Sequence, residues 1–250
     1  MKNRMDKSIL KKQAAERAVE EISPGMIIGL GSGSTLQFAI EAIAAKLKNN
    51  LLSDIICVPS SVDTEREAAR LGIPLATFEE IYAKKRLESP GLKNREALLP
   101  IDITIDGADE VDKDLNLIKG GGGKLLREKI LAQASKRLFI IVDESKISGM
   151  LGTNWAVPIE VIRFALSNEI DYLESIGADP IIRKDSKGDN YITDENNYIV
   201  DASFGKIADV SALAEKLNNR AGIVEHGLFI GLTDTVFCAS EKGVRLSSKQ

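Results

Sequence analysis

Apolar residues recur at near-helical spacing at Ile9, Leu10, Ala14, Ala18 and Val19, which predicts an amphipathic first helix ending before Ser23-Pro24-Gly25. Met26 to Leu30 is a short apolar run that opens into Gly29-Leu-Gly-Ser-Gly-Ser-Thr35, and a second helical pattern follows from about Leu36 to Leu47. Ile55 to Val58 reads as a buried strand and Val62 to Leu71 as a charged helix. Ile101-Asp-Ile-Thr-Ile105 alternates as a strand does, and Leu115 to Ile118 is a further strand candidate. Leu125 to Ala134 is helical in pattern, and Leu138 to Val142 is a fully apolar strand. Strands that alternate with helices predict an α/β fold, a Rossmann-like parallel sheet with helices on both faces.

The pattern changes after Pro158. Glu160 to Ile176 reads as a helix, followed by short strand candidates at Pro180–Arg183, Tyr191–Thr193 and Tyr198–Asp201. A helix at Val210–Leu217 and a strand at Ile223–Glu225 complete a second, smaller α+β domain. Thr235–Ala239 and Gly243–Leu246 resemble a closing hairpin that returns to the first domain. The expected division is therefore 1–156 with 231–250, against 157–230. Lys84 to Arg95, with Pro90-Gly91, reads as a polar surface loop.

Composition narrows the function classes. The chain has 250 residues, 44% hydrophobic and 28% charged, an ordinary balance for a packed globular protein. A formal net charge of -4 argues against a nucleic-acid binder, which would show a basic face. No stretch approaches the ~18–20 apolar residues of a membrane span, and the charged N-terminus lacks the apolar core of a signal peptide, so a cytoplasmic location is expected. Cys57 and Cys238 lie in apolar runs and read as buried structural thiols. A single histidine and no Cys-x-x-Cys pair leave a zinc site almost without ligands.

Three segments carry candidate chemistry. Gly29 to Thr35 joins a strand to a helix, where glycines turn the backbone tightly and amides at a helix N-terminus face an anion. Ser32, Ser34 and Thr35 add hydroxyls. Ser34 stands where a dinucleotide fingerprint needs its last glycine, so a monophosphate is the better-matched ligand; the plainer alternative is an ordinary turn. Asp106-Gly-Ala-Asp-Glu110 follows a strand, where α/β sites gather, and Asp106 and Asp109 can converge on one ligand. A solvated acidic turn and a magnesium site are the alternatives, although an EF-hand register from Asp112 fails at Leu117 and Gly123. Lys119-Gly-Gly-Gly-Gly-Lys124 is conformationally costly unless its amides approach a ligand closely, as in an oxyanion hole; otherwise it is a flexible loop. Glu128 on the next helix is by pattern a surface residue, the lone His226 a structural one, and Trp155 a packing one.

Taken together, Gly29-Leu-Gly-Ser-Gly-Ser-Thr35, Asp106-Gly-Ala-Asp-Glu110, Lys119-Gly-Gly-Gly and Leu126-Arg-Glu-Lys129 stand in the order and spacing of the ribose-5-phosphate isomerase A family. The stretches Asp194 to Asp201 and Glu225-His-Gly-Leu-Phe229 are similar to it as well, so the resemblance covers nearly the whole chain. It implies an aldose–ketose isomerase of the pentose phosphate pathway that interconverts ribose 5-phosphate and ribulose 5-phosphate. Glu128 matches the family's general base. Asp106 and Asp109 match an acidic pair tied to sugar hydroxyls and ring opening, and Lys119 its active-site lysine. Ser32, Gly33, Ser34 and Thr35 match its substrate loop, with Gly107, Ala108, Gly120, Gly121 and Gly122 beside the substrate. Lys146 and Lys11 match lysines that reach the phosphate. The resemblance further implies a homodimer or homotetramer with no metal and no other cofactor, no nucleic-acid partner and no membrane partner. Two departures are visible. Ser32 replaces a common threonine and keeps the hydroxyl. Gly123-Lys124 stands where small residues such as alanine are usual, which leaves Lys124 pointing away from the site or perturbing it.

The residue chemistry agrees with that reading. Isomerisation moves a proton between neighbouring carbons, which one carboxylate can do, while an amide loop and a lysine steady the enediolate oxygens. The competing classes are a related α/β enzyme, such as a sugar-phosphate deaminase or a coenzyme A transferase, and a sugar-phosphate-sensing module without catalysis.

Overall fold

The computed structural model describes residues 6–88 and 99–249. In chain order its main elements are α1 (Lys7–Val19), β1 (Ile27–Leu30), α2 (Leu36–Lys48), β2 (Ile56–Pro59), α3 (Val62–Arg70), α4 (Phe78–Glu88), β3 (Ile101–Asp106), β4 (Glu110–Val111), β5 (Leu117–Ile118), α5 (Leu125–Gln133) and β6 (Ser135–Asp143). They continue with β7 (Val157–Val161), α6 (Leu166–Ser175), β8 (Asp179–Ile182), β9 (Tyr198–Ser203), α7 (Val210–Asn218), β10 (Ile223–His226), β11 (Leu228–Phe229), β12 (Thr235–Ser240) and β13 (Gly243–Ser248). The chain divides into two compact units, residues 1–107, 127–144 and 233–250 in one, and 108–126 and 145–232 in the other.

The first unit is built on a six-stranded sheet of order β13-β12-β6-β3-β1-β2. Its first five strands in sequence (β1, β2, β3, β6 and β12) run parallel, and β13 closes the edge antiparallel to β12, as the hairpin pattern predicts. Alternation along β1 and β2 sends Ile28 and Cys57 into one apolar cluster with α1 and α2, and Ile27 and Val58 into another with Ile81 of α4 and Leu131 of α5. Both cysteines are free and buried, and burial pushes the Cys57 thiol up to about 12, so neither is a ready nucleophile.

The second unit has two small antiparallel sheets, β10-β7-β9-β8 and β11-β5-β4. Helices α6 and α7 pack on the first through Leu173, Leu213 and Leu217 against Val157, Ile159, Val161 and Val200. Among the described residues no helix is long and apolar enough to cross a membrane.

Four expectations need correction. Glu160 and Val161 belong to strand β7, and the helix starts only at Leu166, because Val157-Pro-Ile-Glu-Val161 pairs with both β9 and β10. Tyr191–Thr193 is not a strand; it contributes only an isolated bridge from Ile192 to Tyr198. Strand β5 begins at Leu117, since Leu115 turns at φ 61°. Lys84 to Glu88 is the end of α4 rather than loop, and the rest of the expected loop, 89–95, lies outside the described residues.

Candidate functional site

Gly29 and Gly31 alternate along the end of β1 so that both point at β3. A β-carbon on Gly29 would stand 1.9 Å from Thr104 Oγ1, and one on Gly31 would stand 2.0 Å from the Asp106 carboxylate. The parallel register sets Gly29 beside Thr104, and the Gly31 amide donates to Ile105 O at 3.0 Å. These two glycines therefore make room for side chains of the neighbouring strand. The tight turn falls to Gly33, at φ 90°.

Asp106, 1% exposed, ends β3 beneath that gap. Its Oδ1 accepts from the Ser32 amide at 3.1 Å and the Gly107 amide at 2.7 Å. The Ser32 hydroxyl donates to Glu128 Oε1. Glu128 sits in the first turn of α5, where the helix dipole favours a carboxylate, and is 4% exposed. By pattern it reads as a surface residue; in the structure α5 turns it inward. Ser32 thus ties both carboxylates of the first unit together. Beside it, Lys11 Nζ donates to Ser34 Oγ at 2.8 Å, which carries α1 to the glycine loop. Thr35 opens α2 without a side-chain cap, and no acidic residue occupies the first turn, which suits an anion there.

The second unit holds the other candidate residues. Asp109 follows Ala108, and its Oδ2 accepts from the Gly121 amide at 2.7 Å. Gly120 to Gly123 form a turn closed by the Gly123 amide on Gly120 O at 2.9 Å, with φ 98° at Gly120 and 73° at Gly123. Lys119 is 3% exposed, with Nζ 5.5 Å from the Phe229 ring centre. Lys146 Nζ stands 4.9 Å from the ring centre of Trp155, which is 39% exposed. Lys124 forms a 2.6 Å ion pair with Asp194, both only about one-seventh exposed.

His226 is structural, as the pattern predicts. It is 2% exposed, its Nε2 meets Asn218 Oδ1 at 3.1 Å, and its Nδ1 accepts from the Leu228 amide at 3.3 Å. Among the described residues no group of three His, Cys, Asp or Glu side chains is placed to hold a metal ion. Sequence reasoning reads Arg183, Tyr191 and Asp201 only as members of short strand candidates and misses that they hold the glycine turn.

The family model for ribose 5-phosphate isomerase A (phosphoriboisomerase A) matches residues 56–243. A ribose-5-phosphate isomerase A from Desulfatibacillum aliphaticivorans is 52% identical over 236 residues, 94% of this chain and 95% of that protein. Among solved structures, ribose 5-phosphate isomerase from Plasmodium falciparum matches with a TM-score of 0.87 at 40% identity, covering 97% of this chain and 99% of that one. A D-ribose-5-phosphate isomerase in complex with phospho-erythronic acid matches with a TM-score of 0.88 at 35% identity, covering 98% and 100%.

Proposed function

The chain belongs to the ribose 5-phosphate isomerase A family, and on that premise we propose that it interconverts ribose 5-phosphate and ribulose 5-phosphate through an enediolate, with Glu128 as general base. The observation that carries the reading is Ser32, whose hydroxyl donates to Glu128 and whose amide donates to Asp106.

The chemistry follows from the groups. The furanose must open before its C2 proton is acidic, and Asp106 and Asp109 are the acid/base pair for that step. In the open aldose Glu128 takes the C2 proton, and the electron pair of the broken C–H bond shifts toward C1 and its oxygen, giving the enediolate. The same carboxylate returns the proton to C1, while the hydroxyl proton on the C2 oxygen passes to the C1 oxygen. The ketose results with no net change in atoms or electrons. Lys119 and the glycine turn, with Gly120, Gly121 and Gly122 beside the substrate, steady the developing negative charge. Ser32, Gly33, Ser34 and Thr35, with Lys11 and Lys146, hold the phosphate end, and Gly107 and Ala108 pass close to the sugar. The uncapped start of α2 and the Lys11–Ser34 bond support the phosphate assignment. Phospho-erythronic acid, bound in a structural relative, carries a phosphate and a carboxylate, the two charges such a site answers. The active form in this reading is a homodimer or homotetramer.

Ribulose 5-phosphate formation from ribose 5-phosphate by the purified chain, with deuterium from solvent entering at C2, is the test. A folded chain that binds the sugar phosphate without exchange or turnover would overturn the reading.

A further inference from the structure

Four successive glycines do not hold their own peptide planes, because a glycine backbone reorients at little steric cost. In the second unit the planes are held from outside. Arg183 Nη1 donates to Gly120 O at 2.8 Å and to Gly121 O at 3.0 Å, and the Tyr191 hydroxyl donates to Gly122 O at 3.0 Å. The guanidinium is itself fixed: Nε donates to Asp201 Oδ2 at 2.9 Å, Nη2 donates to Asp201 Oδ1, and the Tyr191 ring centre lies 6.0 Å from it. Only 14% of the Arg183 side chain is exposed, so this fork is not a loose surface contact. The Tyr191 ring also fills the space beside Gly123, where a β-carbon would come within 2.4 Å of it.

In a planar trans peptide the carbonyl of one residue and the amide of the next point in opposite directions. Holding Gly120 O therefore turns the Gly121 amide away from Arg183, and it meets Asp109 Oδ2 at 2.7 Å. Holding Gly121 O turns the Gly122 amide away from Arg183 in the same manner. Among the described residues that amide has no acceptor, and Gly122 is exposed. We propose that Arg183, fixed by Asp201 and assisted by Tyr191, is a positioning residue that aims the Gly122 amide at the enediolate oxygen. The inference rests on the isomerase reading above and adds to it residues that act through the glycine turn. An arginine suits the task because one nitrogen spans two carbonyls while the other two lock onto a carboxylate, a division a lysine cannot reproduce.

Steady-state kinetics of Arg183→Ala with ribose 5-phosphate tests this. The expected result is a kcat lower by about 10²-fold, as for loss of one oxyanion donor, with KM nearly unchanged. Millimolar guanidinium should restore part of the lost kcat, and phospho-erythronic acid should inhibit the variant less well, while inorganic phosphate inhibits it as before. An unchanged kcat overturns the proposal. So does a kcat loss that guanidinium leaves in place while phospho-erythronic acid inhibits as in the unaltered enzyme, since that is damage without misaimed amides. If Arg183→Ala does not fold, Arg183→Lys decides, because a lysine keeps the charge but cannot hold both carbonyls while bound to Asp201: a lower kcat at constant KM supports the proposal and an unchanged kcat overturns it. Absence of turnover in the unaltered enzyme would overturn the isomerase reading itself, and this inference with it.

Discussion

The Ser32 hydroxyl donates to the Glu128 carboxylate across 96 positions of sequence. A serine placed there orients the carboxylate through a neutral donor, which suits the general-base role proposed for Glu128. Glu128→Gln keeps the shape and removes the basicity. It is expected to fold and to bind ribose 5-phosphate, but to lose at least ~10²-fold in turnover. Deuterium exchange at C2 should fall in parallel, because only the base controls it. Near-normal exchange would transfer the proton to Asp106 or Asp109.

Gly31→Ala should disable the same site from the neighbouring strand. The new methyl would overlap Asp106, which is 1% exposed and cannot swing into solvent without breaking its bonds from the Ser32 and Gly107 amides. A displacement of about 1 Å at a reacting group costs on the order of 10²-fold in rate. The overpacking itself should lower stability by about 1–3 kcal/mol. Turnover and urea unfolding measured together check this, and a variant with unaltered turnover would show that Asp106 tolerates the shift.

The strands of the first unit were the most legible part of the chain. Ile101 to Ile105 alternates in the period of a strand and Leu138 to Val142 is a short, fully apolar run, patterns few helices share. Helix α4 was not legible, since Phe78, Ile81 and Tyr82 are followed by Lys84, Lys85 and Arg86, with too little apolar stripe to mark a face. The Glu160–Ile176 segment misled because a buried glutamate in β7 mimics the polar position of a helix. At the site, the glycines were conspicuous but their reason was not. The need for Gly31 appears only once β1 lies beside β3, and Glu128 reads as surface until α5 is packed. Arg183 reaches the glycine turn from more than 60 positions away, with no motif to announce it.

Gly123 and Tyr191 should be energetically coupled. Gly123→Ala faces two costs: φ 73°, worth roughly 1–2 kcal/mol for a residue with a β-carbon, and overlap with the Tyr191 ring. Tyr191→Ala removes the second cost and leaves the first. A double-mutant cycle by urea unfolding should therefore give a coupling of about 0.5–3 kcal/mol, with Gly123→Ala less harmful in the Tyr191→Ala background. Strict additivity would mean that the ring moves aside freely.

Glu160 should give the second unit a distinctive pH dependence. It lies in β7, 1% exposed, opposite Glu225 of β10, with Oε1 accepting from Thr193 Oγ1 at 2.8 Å and Asn197 Nδ2 at 2.9 Å. Burial raises its pKa above the ordinary carboxylate value; the two hydrogen bonds oppose the shift, and the charges of Glu195 and Asp194 add to it. The folded state therefore holds this proton more tightly than the unfolded chain does. Its contribution to stability is fully present below the unfolded pKa, about 4.3, and is lost as pH rises through the raised folded value. Glu160→Gln retains an oxygen for both donors and cannot ionise. The stability of the unaltered protein minus that of Glu160→Gln should then fall as pH rises from about 4 and level off above the folded pKa. Urea unfolding of both proteins across that range isolates the effect, because carboxylates not coupled to Glu160 cancel in the difference. A difference that stays flat would show that the two hydrogen bonds balance burial, and one that grows with pH that they outweigh it.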